Sequence, residues 1–357
     1  MTAALLDTPG AVRDENAFDP SLILPFLKSQ ISDLPDGPVT LKQFSGGASN
    51  LTYLLTVGDR EMILRRPPSG TKAKSAHDMG REFRIMQRLR PHFPCPTPLA
   101  YTEDESLIGS PFYVMEKLTG VIVRRDPPKG LVYSPDEARQ LCHNLFDTQI
   151  KLHLLDYKAA GLDDLGKPEG YVARQIKGWC DRFEKAWTDD VPRCEEVIAW
   201  LKANQPADCP RSALIHNDYR FDNVVLSPAD NMTLIGVLDW EMATLGDPLM
   251  DLGSSLAYWV EPGDEPRMQS LRMQPSQLPG MMTRAEIVEY YSKKTGIEVR
   301  NADYYYVFGL FRLGVIAQQI YYRWKMGQTK NPRVQMFGMF VTVLSQVAEK
   351  VIAKSKN

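Results

Sequence analysis

Residues 214–241 read LIHNDYRFDNVVLSPADNMTLIGVLDWE, and this stretch decides the fold. Short apolar runs at 214–215, 224–226 and 234–238 alternate with segments rich in Pro, Asp and Asn. Runs of this length, broken by residues that favour turns, are typical of short strands joined by tight loops. The stretch therefore predicts a strand, a polar loop and then a pair of strands.

Three polar side chains of this stretch have the order that phosphoryl transfer requires. Asn223 follows Asp218 by five residues, and Asp239 stands sixteen residues further on, at the end of the last strand. The reaction needs a carboxylate to orient or deprotonate the attacking hydroxyl, and oxygen ligands to hold magnesium on the nucleotide phosphates. The alternative, that Asp and Asn only populate turns, is common for one residue but not for the whole set. We predict Asp218 as the catalytic residue and Asn223 with Asp239 as Mg²⁺ ligands.

The motifs HNDYRFDN at 216–223 and LDWEMATLGDPLMDL at 238–252 resemble the signature of the aminoglycoside phosphotransferase family. More narrowly, residues 43–331 are similar to the kinase-like module that precedes an acyl-CoA dehydrogenase in some eukaryotic proteins. The resemblance implies an α+β, two-lobed protein-kinase-like fold, with a small N-lobe built on an antiparallel sheet and a larger, mainly helical C-lobe.

Domain boundaries follow from the same resemblance. We place an N-terminal extension and helix at residues 1–35 and a nucleotide-binding N-lobe at 36–118. The catalytic and substrate-binding C-lobe is expected at 119–357.

A glycine-rich turn near the start of the N-lobe is the predicted phosphate cradle. Gly46 and Gly47 permit close backbone approach, and the amides and hydroxyls of Ser49, Asn50 and Thr52 can act as donors. Most glycine pairs merely close hairpins, so the position before the third strand is what supports this role.

The third predicted strand ends in two arginines where the family carries its phosphate-binding lysine. Strand alternation directs only one of Arg65 and Arg66 into the cleft, and we favour Arg65. Arginine offers a planar fork where lysine offers a point charge. The resemblance implies that Glu82, in the helix ending by Pro91, orients this cation, whereas a solvated Glu on a helix surface is the alternative.

Other residues have roles that the resemblance alone implies. Backbone groups near Glu116 and Leu118 occupy the position of the hinge that holds the adenine edge. Asp251 is placed where the kinase-like fold braces its catalytic loop. The family most often has Gly at the position of Asn217, and Asn is the least costly replacement if that position needs a positive φ. The irregular segment 261–280 is expected to be a functional flap or disordered.

Composition excludes several classes of function. The net charge is −2, and Lys and Arg form no long block, so we expect no nucleic-acid partner. Five scattered cysteines without CxxC spacing argue against a disulfide framework or a zinc site and fit a reducing cytosol. The N-terminus lacks signal-peptide character, and the apolar stretch at 336–344 is too short to span a bilayer. We expect a cytoplasmic protein with no membrane partner.

These features predict a small-molecule kinase that uses ATP, with GTP as the alternative, and Mg²⁺. By resemblance, the first choice of acceptor is a CoA thioester, a hydroxyacyl-CoA of the 4-hydroxyacyl type. Aminoglycosides and small alcohols such as choline or a sugar alcohol are the alternatives. A catalytically silent nucleotide-binding regulator is a hypothesis of another class, since the strand lysine is missing, whereas the retention of Asp218, Asn223 and Asp239 favours an enzyme.

Overall fold

The computed structural model describes residues 5–44, 50–68, 78–329 and 331–355. The chain divides into two compact units, which are described separately. The first comprises residues 1–122, 158–162 and 223–242, and the second comprises residues 123–157, 163–222 and 243–357.

The helices and strands have the following bounds. The strands are β1 (Val39–Gln43), β2 (Leu51–Val57), β3 (Arg60–Arg66), β4 (Pro98–Thr102), β5 (Phe112–Glu116), β6 (Ala213–Ile215), β7 (Val224–Leu226), β8 (Leu234–Val237) and β9 (Thr244–Gly246). The α-helices are α1 (Leu24–Gln30), α2 (Met79–Leu89), α3 (Pro135–Leu154), α4 (Tyr171–Ala186), α5 (Glu195–Ala203), α6 (Pro248–Ala257), α7 (Pro266–Ser270), α8 (Arg284–Thr295), α9 (Ala302–Lys325) and α10 (Phe337–Ser355).

An antiparallel five-stranded sheet forms the centre of the first unit, in the order β1-β2-β3-β5-β4. The two-residue turn between β2 and β3 has Gly58 at a φ of 59°, the left-handed conformation that such hairpins require. Strand β4 was not predicted, and it lies in the proline-rich segment after α2. Pro98 begins this strand at the edge of the sheet, where a missing amide costs no ladder hydrogen bond.

The N-terminal helix covers one face of this sheet. A 3₁₀ turn at Pro20–Ile23 precedes α1, and Asp19 caps it by accepting a hydrogen bond from the Ser21 amide at 2.9 Å. Ile23 and Leu27 are fully buried in one cluster with sheet residues such as Leu64. The predicted N-terminal helix is therefore part of the core of the first unit.

The hairpin of β7 and β8 belongs to the first unit, although the sequence analysis assigned it to the C-lobe. The amide of Val237 donates to the Pro94 carbonyl at 3.0 Å, and Val121 and Leu226 exchange two backbone hydrogen bonds. These bonds join the hairpin to segments more than a hundred residues earlier in the sequence. Domains drawn as consecutive stretches of sequence cannot describe this arrangement, because the chain returns to the first unit at residues 223–242.

The second unit is mainly helical and is arranged around α9. Helices α4, α5, α6 and α10 all pack against α9. The close approach of α6 depends on glycine, because a Cβ on Gly309 would lie 2.1 Å from the Gly253 carbonyl oxygen. Strand β6 pairs with β9, which the sequence analysis did not predict.

The last helix is longer than the apolar stretch on which the sequence analysis relied. Residues Pro332–Ser355, which begin with a 3₁₀ turn, are long and apolar enough to cross a membrane by length and composition alone. Core helices pass the same test, and Leu344, Ala348 and Ile352 of α10 are buried against other parts of the second unit. Packing within the second unit therefore accounts for these buried residues of α10, whereas 39% of the apolar window as a whole is buried.

Candidate active site

Arg65 lies at the centre of a charged cluster in the first unit. Its Nη1 donates to Glu82 Oε1 at 2.8 Å, and its Nη2 donates to Asp239 Oδ1 at 2.9 Å. The side chains of Arg65 and Glu82 are 8% and 1% exposed, whereas that of Asp239 is 32% exposed. One guanidinium thus bridges two carboxylates, an arrangement that suits the planar fork of arginine.

Burial and charge act in opposition within this cluster. Burial opposes the charge of Arg65, but the carboxylates of Asp239 and Glu82 raise the pKa of the guanidinium well above its usual value. Burial raises the pKa of Glu82, and Arg65 offsets this only in part. Glu82 also accepts the Trp240 amide at 3.2 Å. Glu82 is therefore not a solvated residue on a helix surface.

Strand alternation separates the two arginines of β3, as predicted. Arg66 points away from Glu82 and donates to the carbonyl oxygens of Asn16 and Ile108, at 2.8 and 3.2 Å. Its guanidinium also lies 4.9 Å from the centre of the Phe18 ring. Arg66 therefore joins the N-terminal segment to the sheet, and Arg65 is the arginine that contacts the predicted site residues.

The two predicted magnesium ligands lie at the same end of the hairpin. The Leu238 amide donates to the Asn223 carbonyl at 2.8 Å. Asp239 is the residue after Leu238, so this hydrogen bond brings the two predicted ligands to the same end of the hairpin. Asp239 has a φ of 67°, a left-handed conformation that Asp tolerates better than most residues. Amide and carboxylate oxygens are hard ligands that suit Mg²⁺. The residues present therefore fit the ion, and their role as its ligands stays a prediction.

No group of three or more His, Cys, Asp or Glu side chains able to hold a metal occurs within residues 5–44, 50–68, 78–329 and 331–355. Mg²⁺ in nucleotide sites usually binds one or two protein ligands and takes the rest from phosphates and water. A sparse set of ligands at the hairpin end is therefore compatible with this ion.

Glu241 is a member of this region that the sequence analysis missed. Its Oε2 accepts a hydrogen bond from Asn50 Nδ2 at 2.7 Å, and its carbonyl accepts one from Arg81 Nη1 at 3.2 Å. The side-chain amide of Asn50 is thus directed to Glu241. The spacing of Glu241 two residues after Asp239 was the signal available in the sequence. Gly46, Gly47 and Ser49 lie outside the described residues.

Of the predicted hinge residues, Glu116 ends β5 and Leu118 follows two residues later. The Glu116 carboxylate accepts the Thr97 amide at 3.1 Å and the Thr97 hydroxyl at 2.8 Å. The side chain of Leu118 occupies space left by Gly236, since a Cβ there would lie 2.1 Å from Leu118 Cδ1. Both side chains therefore have structural partners, and adenine binding by the nearby backbone stays a prediction.

In the second unit, Asp251 braces the loop that carries Asp218. Its carboxylate accepts the amides of His216 and Asn217, at 3.3 and 2.6 Å. Asn217 has a φ of 65°, which confirms that this position needs the left-handed conformation. His216 is fully buried, and its Nδ1 accepts the Asp218 amide at 3.2 Å. The loop is therefore held through its backbone.

The Asp251 carboxylate also accepts hydrogen bonds from buried side chains. Asp251 is fully buried and also accepts Gln149 Nε2 at 3.2 Å and His153 Nε2 at 2.9 Å. The second ring nitrogen of His153 lies 2.8 Å from the Tyr291 hydroxyl. Burial would raise the pKa of Asp251, but the hydrogen bond from His153 and the other donors hold it below its usual value.

The Asp218 carboxylate has two neighbours that the sequence analysis did not identify as partners. The Tyr258 hydroxyl donates to Asp218 Oδ1 at 3.0 Å, and Arg220 Nε lies 3.5 Å from Oδ2. Arg220 also pairs with Asp222 at 2.8 Å. The Asp218 side chain is 21% exposed, so its carboxylate is braced and still accessible.

Segment 261–280 is ordered in the structure and contains α7, so the disordered alternative is wrong, whereas a role as a flap stays a prediction. Gln274 is 1% exposed, and its Oε1 accepts the Phe221 amide, in the loop that carries Asp218, at 2.9 Å. The Ser276 hydroxyl donates to the Val260 carbonyl at 2.7 Å. Buried polar contacts of this kind are not visible in composition, and they make the segment part of the support of the loop.

Comparison with known proteins extends these observations. A sequence model described as the phosphotransferase enzyme family (APH) matches residues 40–283. Acyl-CoA dehydrogenase family member 10 of Mus musculus is 36% identical over 340 residues, which is 94% of this chain and 31% of that protein. Family member 11 of Rattus norvegicus is 32% identical over 296 residues, which is 82% of this chain and 38% of that protein. The chain thus spans about a third of the length of these relatives.

The solved structures agree with the fold. A provisionally named aminoglycoside phosphotransferase of Ralstonia eutropha superposes with a TM-score of 0.79 at 27% identity, over 95% of this chain and 99% of that one. The antiparallel sheet of the first unit and the helices of the second confirm the predicted α+β, kinase-like fold. The chain belongs to the phosphotransferase enzyme family.

Proposed function

We propose that this chain is an ATP-dependent, Mg²⁺-dependent kinase that phosphorylates the hydroxyl group of a hydroxyacyl-CoA of the 4-hydroxyacyl type. The observation that carries the proposal is the contact of Arg65 with both Glu82 and Asp239. The missing strand lysine is the feature that favours a silent module. Because the arginine makes both acid contacts, the charged cluster is intact despite this replacement.

Each residue has a role that its chemistry supports. Asp218 would orient the acceptor hydroxyl and take its proton. Asn223 and Asp239 would hold Mg²⁺, which neutralises charge on the phosphates when it is bound. Arg65 would direct its charge toward the same phosphates. Phosphoryl transfer depends mostly on such positioning and charge neutralisation, so GTP is an alternative donor that assays must include.

The choice of acceptor follows from the named relatives. Two relatives that match most of this chain are called acyl-CoA dehydrogenase family members, and each is more than twice its length. A kinase-like module in a protein of that name suits an acyl-CoA substrate that carries a hydroxyl group. Phosphorylation would convert the hydroxyl into a leaving group for a later step of acyl-CoA breakdown.

An aminoglycoside acceptor would call for an acidic surface to receive a polycation. The acidic residues of segment 261–266 do not provide one, because each has a cationic partner. Asp264 pairs with Arg284 at 2.6 Å, Glu261 lies 3.6 Å from the same guanidinium, and Glu265 pairs with Lys350. This neutralisation favours a CoA thioester over an aminoglycoside.

The deciding experiment measures ATP and GTP consumption with Mg²⁺ against 4-hydroxyacyl-CoAs, aminoglycosides and small alcohols. We expect turnover with the hydroxyacyl-CoA and its loss, by about a thousandfold or more, in Asp218→Ala, since the general base and its orienting contact are both removed. Asp303→Ala, at an exposed position of the second unit, is the matched control and should retain activity. Nucleotide binding without turnover on any acceptor would instead support the silent module.

We also propose a cytoplasmic location. The five cysteines are free in the structure, as a reducing compartment requires. Fractionation of cells that express the native protein would test this, and recovery with membranes would contradict it.

A further inference from the structure

Helix α6 supplies two residues that contact the catalytic loop of the second unit. Asp251 and Tyr258 are seven residues apart, which corresponds to about two helical turns and places both on the same side of the helix. Asp251 accepts the amides of His216 and Asn217, so it acts on the loop backbone. Tyr258, which caps the C-terminus of the helix, reaches the side chain of Asp218.

The Tyr258 hydroxyl is suited to act as a permanent donor. It lies 3.0 Å from Asp218 Oδ1, and the residue is 8% exposed. Burial, and next the charge of Asp218, raise the pKa of Tyr258 above its usual value, so the phenol keeps its proton. An ionised carboxylate can only accept hydrogen bonds, so the direction of this bond is determined.

Other charged groups of the second unit lie near Asp218. Arg220 lies near Oδ2 and also stacks over the Tyr258 ring at 5.0 Å from its centre. Three further charged or titratable groups act through the loop: His216 accepts the Asp218 amide, Arg312 donates to the Asn217 carbonyl, and Asp222 pairs with Arg220. Of these groups, Tyr258 is the neutral donor held on a separate, fully buried helix.

We infer that Tyr258 is a positioning residue that fixes the Asp218 carboxylate for the acceptor hydroxyl. With Oδ1 held by a buried donor, rotation of the carboxylate about its terminal bond is restricted. Small errors in the placement of a reacting group cost large factors in rate, because alignment of the reacting atoms supplies much of the catalysis. This inference rests on the proposed kinase function.

The first test is Tyr258→Phe, which removes one oxygen and leaves the ring. A hydrogen bond to a charged group corresponds to about a ten- to hundredfold effect, so we expect kcat to fall by that factor. The KM values for nucleotide and acceptor should stay within about twofold, because Tyr258 acts through Asp218 and not on bound substrate. Tyr304→Phe is the matched control, since that buried hydroxyl donates to the Leu201 carbonyl at 3.2 Å, away from Asp218.

The second test does not require turnover. Urea unfolding of Tyr258→Phe, Asp218→Ala and the double variant forms a cycle that isolates the coupling between the two side chains. If the contact positions the carboxylate, adding Tyr258→Phe to Asp218→Ala should lower stability much less than it does in the native protein. The same cycle with Tyr304→Phe should be additive.

The outcomes separate the two proposals. Absence of turnover in the native protein with every acceptor argues against the kinase function. The double-mutant cycle then still tests the contact between Tyr258 and Asp218, because it measures stability and not activity. An additive cycle, or an unchanged kcat in Tyr258→Phe, would overturn the positioning role. A fall in kcat matched by an equal rise in KM, or equalled by Tyr304→Phe, would also overturn it, because general loss of structure would then explain the effect.

Discussion

Two buried carboxylates, Glu82 in the first unit and Asp251 in the second, are held in different ways. Glu82 depends on the Arg65 guanidinium, and burial raises its pKa. Asp251 accepts two backbone amides and two side-chain donors, which hold its pKa below its usual value although it is fully buried.

This difference distinguishes the cluster around Arg65, which can exchange hydrogen-bond partners, from the network around Asp251, which cannot. The cluster around Arg65 opens to solvent through Asp239, which is 32% exposed. A ligand can therefore take over part of the hydrogen bonding there. Asp251 is fully enclosed, and each donor to it comes from the protein. Buried networks of this second kind are rigid only while every member is satisfied.

The largest expected effect comes from Asp251→Ala. The change removes a buried acceptor from His153, Gln149 and two loop amides, although Gln149 keeps its bond to the Ser255 hydroxyl. Removal of one member of a buried charged network costs about 3 to 5 kcal/mol, so we expect a loss of that size in unfolding free energy. Urea titration measures it, and a loss below about 1 kcal/mol would show that the second unit does not depend on this residue.

A smaller effect is expected in the first unit, where solvent can reach part of the cluster. Arg65→Met leaves Glu82 buried without its cation, and we expect a loss of about 2 to 4 kcal/mol. Adding Glu82→Gln should restore part of that stability, because the uncompensated charge is removed. Equal stability of the single and double variants in urea would contradict the view that Arg65 and Glu82 form one charged unit.

The smallest effect is a difference in pH dependence. The folded pKa of Asp251 is lowered from 3.8, so its contribution to stability is present above that pH and is lost as pH falls through the folded value. The folded pKa of Glu82 is raised from 4.5, so stability declines as pH rises from there through its folded value. Unfolding free energies are measured from about pH 3 to 7. The loss of stability at low pH should be absent in Asp251→Asn, and the decline in stability with rising pH should be absent in Glu82→Gln. Identical profiles in all three proteins would contradict these assignments.

Local chemistry made part of the site predictable. The choice between Arg65 and Arg66 followed from strand alternation, since adjacent residues of a strand face opposite sides. The positive φ of Asn217 followed from the short side chain that tolerates this conformation. The contacts of Arg65 with Glu82 and of Asp251 with the loop matched positions implied by the family resemblance.

The missed features all depend on residues distant in sequence. Tyr258 reaches Asp218 across 40 residues, Gln274 reaches Phe221 across 53, and Asn50 reaches Glu241 across 191. Strand β9 has only three residues and forms because β6 supplies its partner. Periodicity and turn propensity carry no information on such pairings, since they describe only neighbouring residues.

The sequence by itself determined the motif residues, the fold class and the short-range backbone conformations, because these depend on side-chain type and spacing along a few turns or strands. Only the tertiary structure decided that the hairpin after Asp222 returns to the first unit and that segment 261–280 supports the loop that carries Asp218. Both results arise from hydrogen bonds that buried polar groups must make once the chain is packed, and the partner of each is selected by packing and not by its neighbours in sequence.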